Sequence, residues 1–181
     1  MNIVLATPLY PPDIAEPAPY VKELAKRLSS EHTVTLVVYG ALPERVRGVE
    51  IVAVAKDRPL PLRLLAYTAA LYKTAHSADV IYAQNGPSVE LPLAMVRLLT
   101  ATPTVIHIGD RAAHEYAASH SLRRMLEHLV TKGARATLDD ASQPRPEILP
   151  FEPYPQKEFE SYEAWWTAHL NRLISLFAHG Q

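Results

Sequence analysis

Short runs of β-branched and aliphatic residues alternate with stretches of helical period from Asn2 to Leu138. That alternation limits the chain to one architecture. Asn2–Ala6, Thr33–Tyr39, Val49–Ala55, Asp79–Ala83, Thr104–Ile108 and Ala134–Leu138 read as strands, rich in Val, Ile and Thr. Between them Val21, Leu24, Ala25 and Leu28 recur on one helical face, and Leu62–Ala75, Val89–Leu99 and His114–Val130 read as further helices. Pro59 and Pro61 lead into the second helix, and five prolines between Thr7 and Pro19 predict a long first loop. Strands separated by helical segments of ~10 to 15 residues require right-handed crossovers. The expectation is an α/β, Rossmann-like parallel sheet of six strands with helices on both faces.

The chain divides near residue 140. Residues 1–140 form the Rossmann-like unit, and 141–181 a proline-rich linker and a terminal helix. Pro144, Pro146, Pro150, Pro153 and Pro155 keep the linker extended. In the following helix, Phe159–Ala178, the residues Tyr162, Trp165, Trp166, Leu170, Leu173, Ile174 and Phe177 share one side. Such a helix packs back on the domain or on a partner, with the tryptophans as core or interface anchors.

Composition excludes several function classes. With 48% hydrophobic residues in 181, the chain can bury a core, and a net charge of −1 gives no basic footprint for nucleic acid. The absence of Cys removes disulfides, thiolate metal sites and a Cys nucleophile. His114, Glu115, His120 and His128 do not have zinc-ligand spacing, so no metal or other cofactor is expected. No apolar run reaches the roughly 18 to 20 residues of a spanning helix, and the N-terminal run is too short for a signal peptide. The expected location is cytoplasmic, with a peripheral membrane contact through Leu60–Leu71 and Arg63 as the one exception to weigh. Sixteen prolines against six glycines leave few positions suited to positive φ.

In an open parallel sheet, ligands bind outside the carboxyl ends of the strands. That rule selects Thr7–Pro19, Gly40, Gln84–Ser88 and Gly109–Arg111. Within these loops, and just beyond the first, the candidate ligand contacts are Tyr10, Asp13, Glu16, Tyr20, Asn85, Gly86, Ser88, Gly109 and Arg111. Asn85 and Ser88 equally suit a helix cap, and an acid such as Asp110 suits a helix start.

The run Ile3-Val4-Leu5-Ala6-Thr7-Pro8-Leu9-Tyr10-Pro11-Pro12, followed by Tyr20-Val21-Lys22-Glu23-Leu24-Ala25-Lys26-Arg27-Leu28, resembles the start of GT-B glycosyltransferases of family 4. The resemblance continues through His32–Val37, Ala78–Tyr82, Gly86-Pro87 and Pro103–Asp110, covering residues 2 to 138. It implies the family's N-terminal, acceptor-side domain, with hexosyl transfer as the reaction class. It also implies His107 as the acceptor-side base or orienting group, with Asp110 beside it. One residue of register decides whether His107 faces the cleft or the opposite side. Where the family has a Gly-Gly pair after Pro-Pro, this chain has Ala15-Glu16, and Glu16 would repel a diphosphate. Glu152 and Glu160 have the spacing of the family's donor-binding glutamates but stand in the wrong element. No donor half is recognisable.

Three functions follow as expectations. The first is a glycosyltransferase-like acceptor domain of carbohydrate metabolism, inactive alone, working with a separate donor-domain protein on a sugar or lipid-linked acceptor. The second is a non-catalytic binding or assembly module, homodimeric through Trp165, Trp166, Leu170 and Phe177. The third is a small-molecule binder using the same cleft, since fold does not fix function.

Overall fold

The run Asn2–Ala6 forms β1, and four of its five residues are buried because strands pair with it on both edges and helices cover both faces. This is a computed structural model that describes residues 1–13, 17–108, 132, 134–139 and 156–178. After β1 come α1 (Pro17–Leu28), β2 (Thr33–Tyr39), β3 (Val49–Val54), α2 (Leu60–Ala75), β4 (Val80–Gln84), α3 (Pro87–Leu99), β5 (Thr104–Ile108), β6 (Ala136–Asp139) and α4 (Gln156–Ala178). All strands are parallel, in the order β3-β2-β1-β4-β5-β6. The expected Rossmann-like sheet is present.

Period-two alternation sorts the strands into two cores. Ile3, Leu5, Leu36, Val38, Val80, Tyr82 and Val105 face α1 and α4. Val4, Ala6, Val37, Ile81, Ala83 and Ile106 face α2 and α3. Each fully buried aliphatic side chain contributes about 1.5–3 kcal/mol relative to exposure.

The boundaries differ from expectation in physically instructive places. The first loop does not extend to Pro19, because Pro17 and Pro19 stand in the first turn of α1. Helix N-terminal N–H groups lack intrahelical acceptors, so a proline there forfeits nothing. The last strand is Ala136–Asp139, entered after the Arg135 N–H donates to the Thr104 carbonyl at 2.8 Å. The helix expected over His114–Val130 and most of the linker lie outside the described residues.

α4 returns to the domain. Trp166, Leu173 and Phe177 are buried in the same core as α1, and Trp165 and Leu170 pack against it. Trp166 and Phe177 thus serve the interior of their own chain, whereas Trp165 and Leu170 stay partly exposed. Polar contacts fix the docking. Arg27 forks onto Glu163, with Nη1 at 2.9 Å and Nη2 at 2.5 Å, and the Arg135 guanidinium donates to the Phe177 carbonyl at 2.6 Å. The Arg27 bond holds the Glu163 carboxyl below its ordinary value of 4.5.

Candidate functional site

The strand order reverses at β1, whose neighbours are β2 and β4. The chain leaves β1 toward α1 on one face and leaves β4 toward α3 on the other. The two departures diverge at the carboxyl edge of the sheet, where ligands of such folds bind.

Three polar side chains line up along that edge. Thr7 continues the alternation Ile3-Leu5, Gln84 continues Val80-Tyr82, and His107 follows Val105, so all three belong to the α1 side. Gln84 and His107 are register partners across β4 and β5. All three are buried, at 1%, 3% and 1% exposure. Interior polar groups on otherwise apolar strands require partners.

The partners are incomplete. Thr7 Oγ1 stands 2.7 Å from the Leu9 carbonyl and 2.7 Å from Gln84 Oε1, and it accepts the Leu9 N–H at 3.2 Å. A hydroxyl has one proton and cannot serve two acceptors. Turning the Gln84 amide over lets Nε2 donate to Thr7 while Thr7 donates to Leu9. Neither orientation satisfies the whole amide. As placed, Gln84 Nε2 is buried without a partner. When turned, Oε1 takes that position. One buried polar atom left unmet costs about 1–3 kcal/mol, and a group that both donates and accepts would complete it.

His107 is not turned to open solvent. Its ring lies 5.3 Å from Tyr20 and 5.7 Å from Tyr82, inside the aromatic cluster below α4. The Tyr20 hydroxyl shares hydrogen bonds with Tyr82 at 3.1 Å and with His169 Nε2 at 2.7 Å. Trp166 stacks on Tyr20 at 5.5 Å, and Trp165 stacks on His169 at 4.6 Å. Tyr20 is thus a buried bridge to α4 and does not line the first loop. Its helical spacing with Leu24 and Leu28 carries the same message.

The first loop is braced from outside. The Asp13 carboxylate accepts Lys56 Nζ at 2.6 and 2.7 Å and the Tyr10 N–H at 3.3 Å. The Tyr10 hydroxyl donates to the Glu44 carbonyl at 3.0 Å, and Lys22 pairs with the Glu44 carboxylate. Burial, with Glu44 adding to it, pushes the Tyr10 phenol up to about 12, so it stays a donor. The described contacts of Tyr10 and Asp13 hold the loop's shape. From the other face, burial raises the Tyr67 phenol well above 10, and its hydroxyl meets the Val37 carbonyl at 2.9 Å and the Thr7 carbonyl at 3.3 Å.

The β4–α3 turn is tightly packed. The Asn85 N–H donates to the His107 carbonyl at 2.9 Å, extending the ladder past β4. Gly86, not Asn85 or Ser88, precedes the first residue of α3, and its N–H donates to the Glu90 carboxylate at 3.1 Å. Its φ is +150°, and a Cβ there would lie 3.1 Å from Pro8 Cγ, so glycine lets the β4–α3 turn touch the first loop. Ser88 contributes its carbonyl to the Tyr39 hydroxyl at 2.7 Å. Glu16, Gly109, Asp110 and Arg111 lie outside the described residues. Among the described residues, no three His, Asp or Glu side chains group as metal ligands.

The sequence reading passed over Thr7 and Gln84 as individuals. The signal was present, since each is a polar residue at the buried parity of an apolar strand, Gln84 at its end and Thr7 one step past it.

No curated protein matches the chain. The crystal structure of Anabaena Alr3699/HepE in complex with UDP superposes with a TM-score of 0.52 at 20% identity, covering 76% of this chain. This chain spans 37% of that one. The C-terminal domain of the coenzyme A biosynthesis bifunctional protein CoaBC gives a TM-score of 0.49 at 11% identity, covering 96% of each chain. Residues 16–138, well over half of the chain, match the glycosyl transferase 4-like domain, and the chain belongs to that family.

Proposed function

We propose that this chain is the acceptor-side domain of a glycosyltransferase, binding a hydroxyl-bearing acceptor at the carboxyl edge of β1, β4 and β5. Membership of the glycosyl transferase 4-like family supplies the reaction class. The observation that carries the reading is Gln84, a 3%-exposed amide beside Thr7 and His107 with one atom unmet. A sugar hydroxyl donates and accepts at once, so it satisfies the amide in either orientation.

In this reading Thr7 and Gln84 orient the acceptor. His107 and the Tyr20–Tyr82 pair hold the row from beneath as positioning groups. Asn85, Gly86 and Ser88 border the mouth, and Tyr10 and Asp13 shape the first loop. The donor is bound by a separate partner domain, because Ala15-Glu16 replaces the backbone-accessible glycines that would approach a diphosphate. The chain alone then transfers no sugar.

Calorimetric titration with UDP, GDP and their sugars tests the division of labour. No heat at protein concentrations suited to about micromolar affinity is expected, and micromolar binding to the chain alone overturns it. Saturation-transfer NMR with free hexoses tests the acceptor site. Signal is expected with the native chain and lost in Gln84→Met, and equal signal in both removes Gln84 from the site.

One observation favours a second reading, a non-catalytic binding or assembly module. His107 is only 1% exposed and enclosed by two tyrosines, a poor position for a proton-transferring base. Isolation of the native partner separates the two. A donor-domain protein that restores transfer supports the two-chain enzyme, whereas a partner without sugar-nucleotide chemistry supports the module.

A further inference from the structure

α2 carries two apolar stripes on opposite sides. Tyr67, Leu71 and Ala75, spaced by four, are buried against the sheet and α3. Leu62, Leu65, Ala69 and Tyr72 recur at helical spacing on the reverse side, and all four are exposed. Leu62 and Leu65 are each 57% exposed, and Leu60 at the helix start is 55% exposed. A sheet-covering helix needs only its first stripe, and a helix apolar all round is one that something else covers. The outer stripe runs over eleven residues, from Leu62 to Tyr72, about 15 Å of helix.

The charges say what would cover it. α2 contains Arg63 and Lys73 and no acidic residue, and Arg58 stands exposed just before it. Of the two other charges in that approach, Lys56 is engaged by Asp13 and Asp57 is exposed beside Arg58, so Arg63 and Lys73 carry the net positive charge. Neighbouring α3 adds exposed Met95, Leu98 and Leu99, and its single acid, Glu90, is buried against the Gly86 N–H. An apolar band with basic residues at its ends and no exposed carboxylate along it complements an anionic lipid interface. It does not complement itself, since a second copy would oppose acid-free helices. No helix of the described residues is long and apolar enough to cross a membrane, so this one would lie on the surface.

We propose that α2 seats the domain on an anionic lipid surface, with Leu62, Leu65 and Tyr72 in the acyl boundary and Arg58 and Lys73 among the head groups. α2 follows the carboxyl end of β3, so its start stands at the same edge as Thr7 and Gln84. Docking here brings that edge to the membrane plane, within reach of a lipid-borne acceptor. The seating is independent of the acceptor reading and stands or falls separately.

Co-sedimentation of the whole chain with vesicles tests it. Binding is expected to vesicles mixing phosphatidylglycerol into phosphatidylcholine, weakening as salt rises, and not to phosphatidylcholine alone. Leu62→Glu with Leu65→Glu is expected to lower partitioning more than about a hundredfold, and Lys73→Gln about fivefold. Both positions face solvent, and an unchanged melting curve shows that the variants fold. Absence of binding to the anionic vesicles, or binding that the double variant leaves intact, overturns the proposal. A dimer seen by sedimentation velocity and abolished by the double variant also overturns it, in favour of a second copy.

Discussion

The two faces of one sheet are finished differently. Over the α1 side lies a second helix, α4, brought from the far end of the chain and fixed by Trp166, by the Arg27–Glu163 fork and by the Tyr20–His169 bond. Over the other side, α2 and α3 cover the strands and then present leucines outward. Both faces began from the same alternating strands. Burying the sheet is therefore only the first requirement, and what a helix does with its outer side separates interior from interface.

The largest expected effect breaks the α4 side. Trp166→Ala removes a 1%-exposed indole stacked on Tyr20 and is expected to cost about 3–5 kcal/mol in urea denaturation. A cost below about 1 kcal/mol would show that α4 is not part of the core. Trp166→Phe should cost less, because the buried indole Nε1 has no acceptor to lose.

The Arg27–Glu163 contact is the next test, read against pH. The Glu163 carboxyl is lowered in the fold by Arg27, so its contribution is present above the ordinary value of 4.5 and is lost as pH falls through the lowered one. Glu163→Gln is expected to melt below the native chain at neutral pH, by a difference of about 1 kcal/mol or less since the site is partly exposed. The two melting curves should converge in acid. A gap that persists there would mean that the loss is one of packing.

Gln84 stands on the α1 side at the carboxyl edge of the sheet and gives a smaller effect of opposite sign. Replacing its unmet amide by the similar volume of methionine is expected to leave stability unchanged or raise it by up to about 1 kcal/mol. Thr7 keeps the Leu9 carbonyl as acceptor. Marked destabilisation in thermal melts would show that the amide is satisfied and structural.

The smallest effect belongs to the α2 side. Leu62→Glu and Leu65→Glu are each expected to change stability by no more than about 0.5 kcal/mol. A loss of several kcal/mol would place these leucines in an interior and dissolve the contrast.

Much of the fold was legible because its signals are local. Val80-Ile81-Tyr82-Ala83 announces a strand covered on both sides, and Val21, Leu24 and Leu28 announce one helical face. Pro17 and Pro19 misled because proline is a breaker within a helix and acceptable at its start, and the residues alone did not show which applied. The candidate site was legible as an edge, not as a set of partners. Four loops were expected there, but Tyr10, Asp13 and Tyr20, in and just beyond the first, proved to be engaged by Glu44, Lys56 and His169.

The sequence by itself determined the order of the elements, the parallel sheet and the alternation of strand side chains between two faces, because periods of two and of about 3.6 are set by neighbouring residues. It also marked Leu62–Ala75 as a helix, with Leu60–Leu71 and Arg63 as a candidate membrane contact. Only the tertiary structure decided that α4 covers one face and nothing described covers the outer α2 stripe on the other. It also decided that Gln84 keeps one atom unmet beside Thr7. These outcomes depend on residues far apart in the chain, 136 positions between Arg27 and Glu163 and 77 between Thr7 and Gln84. No local pattern encodes such a distance, because the contact exists only after the cores that carry both residues have formed.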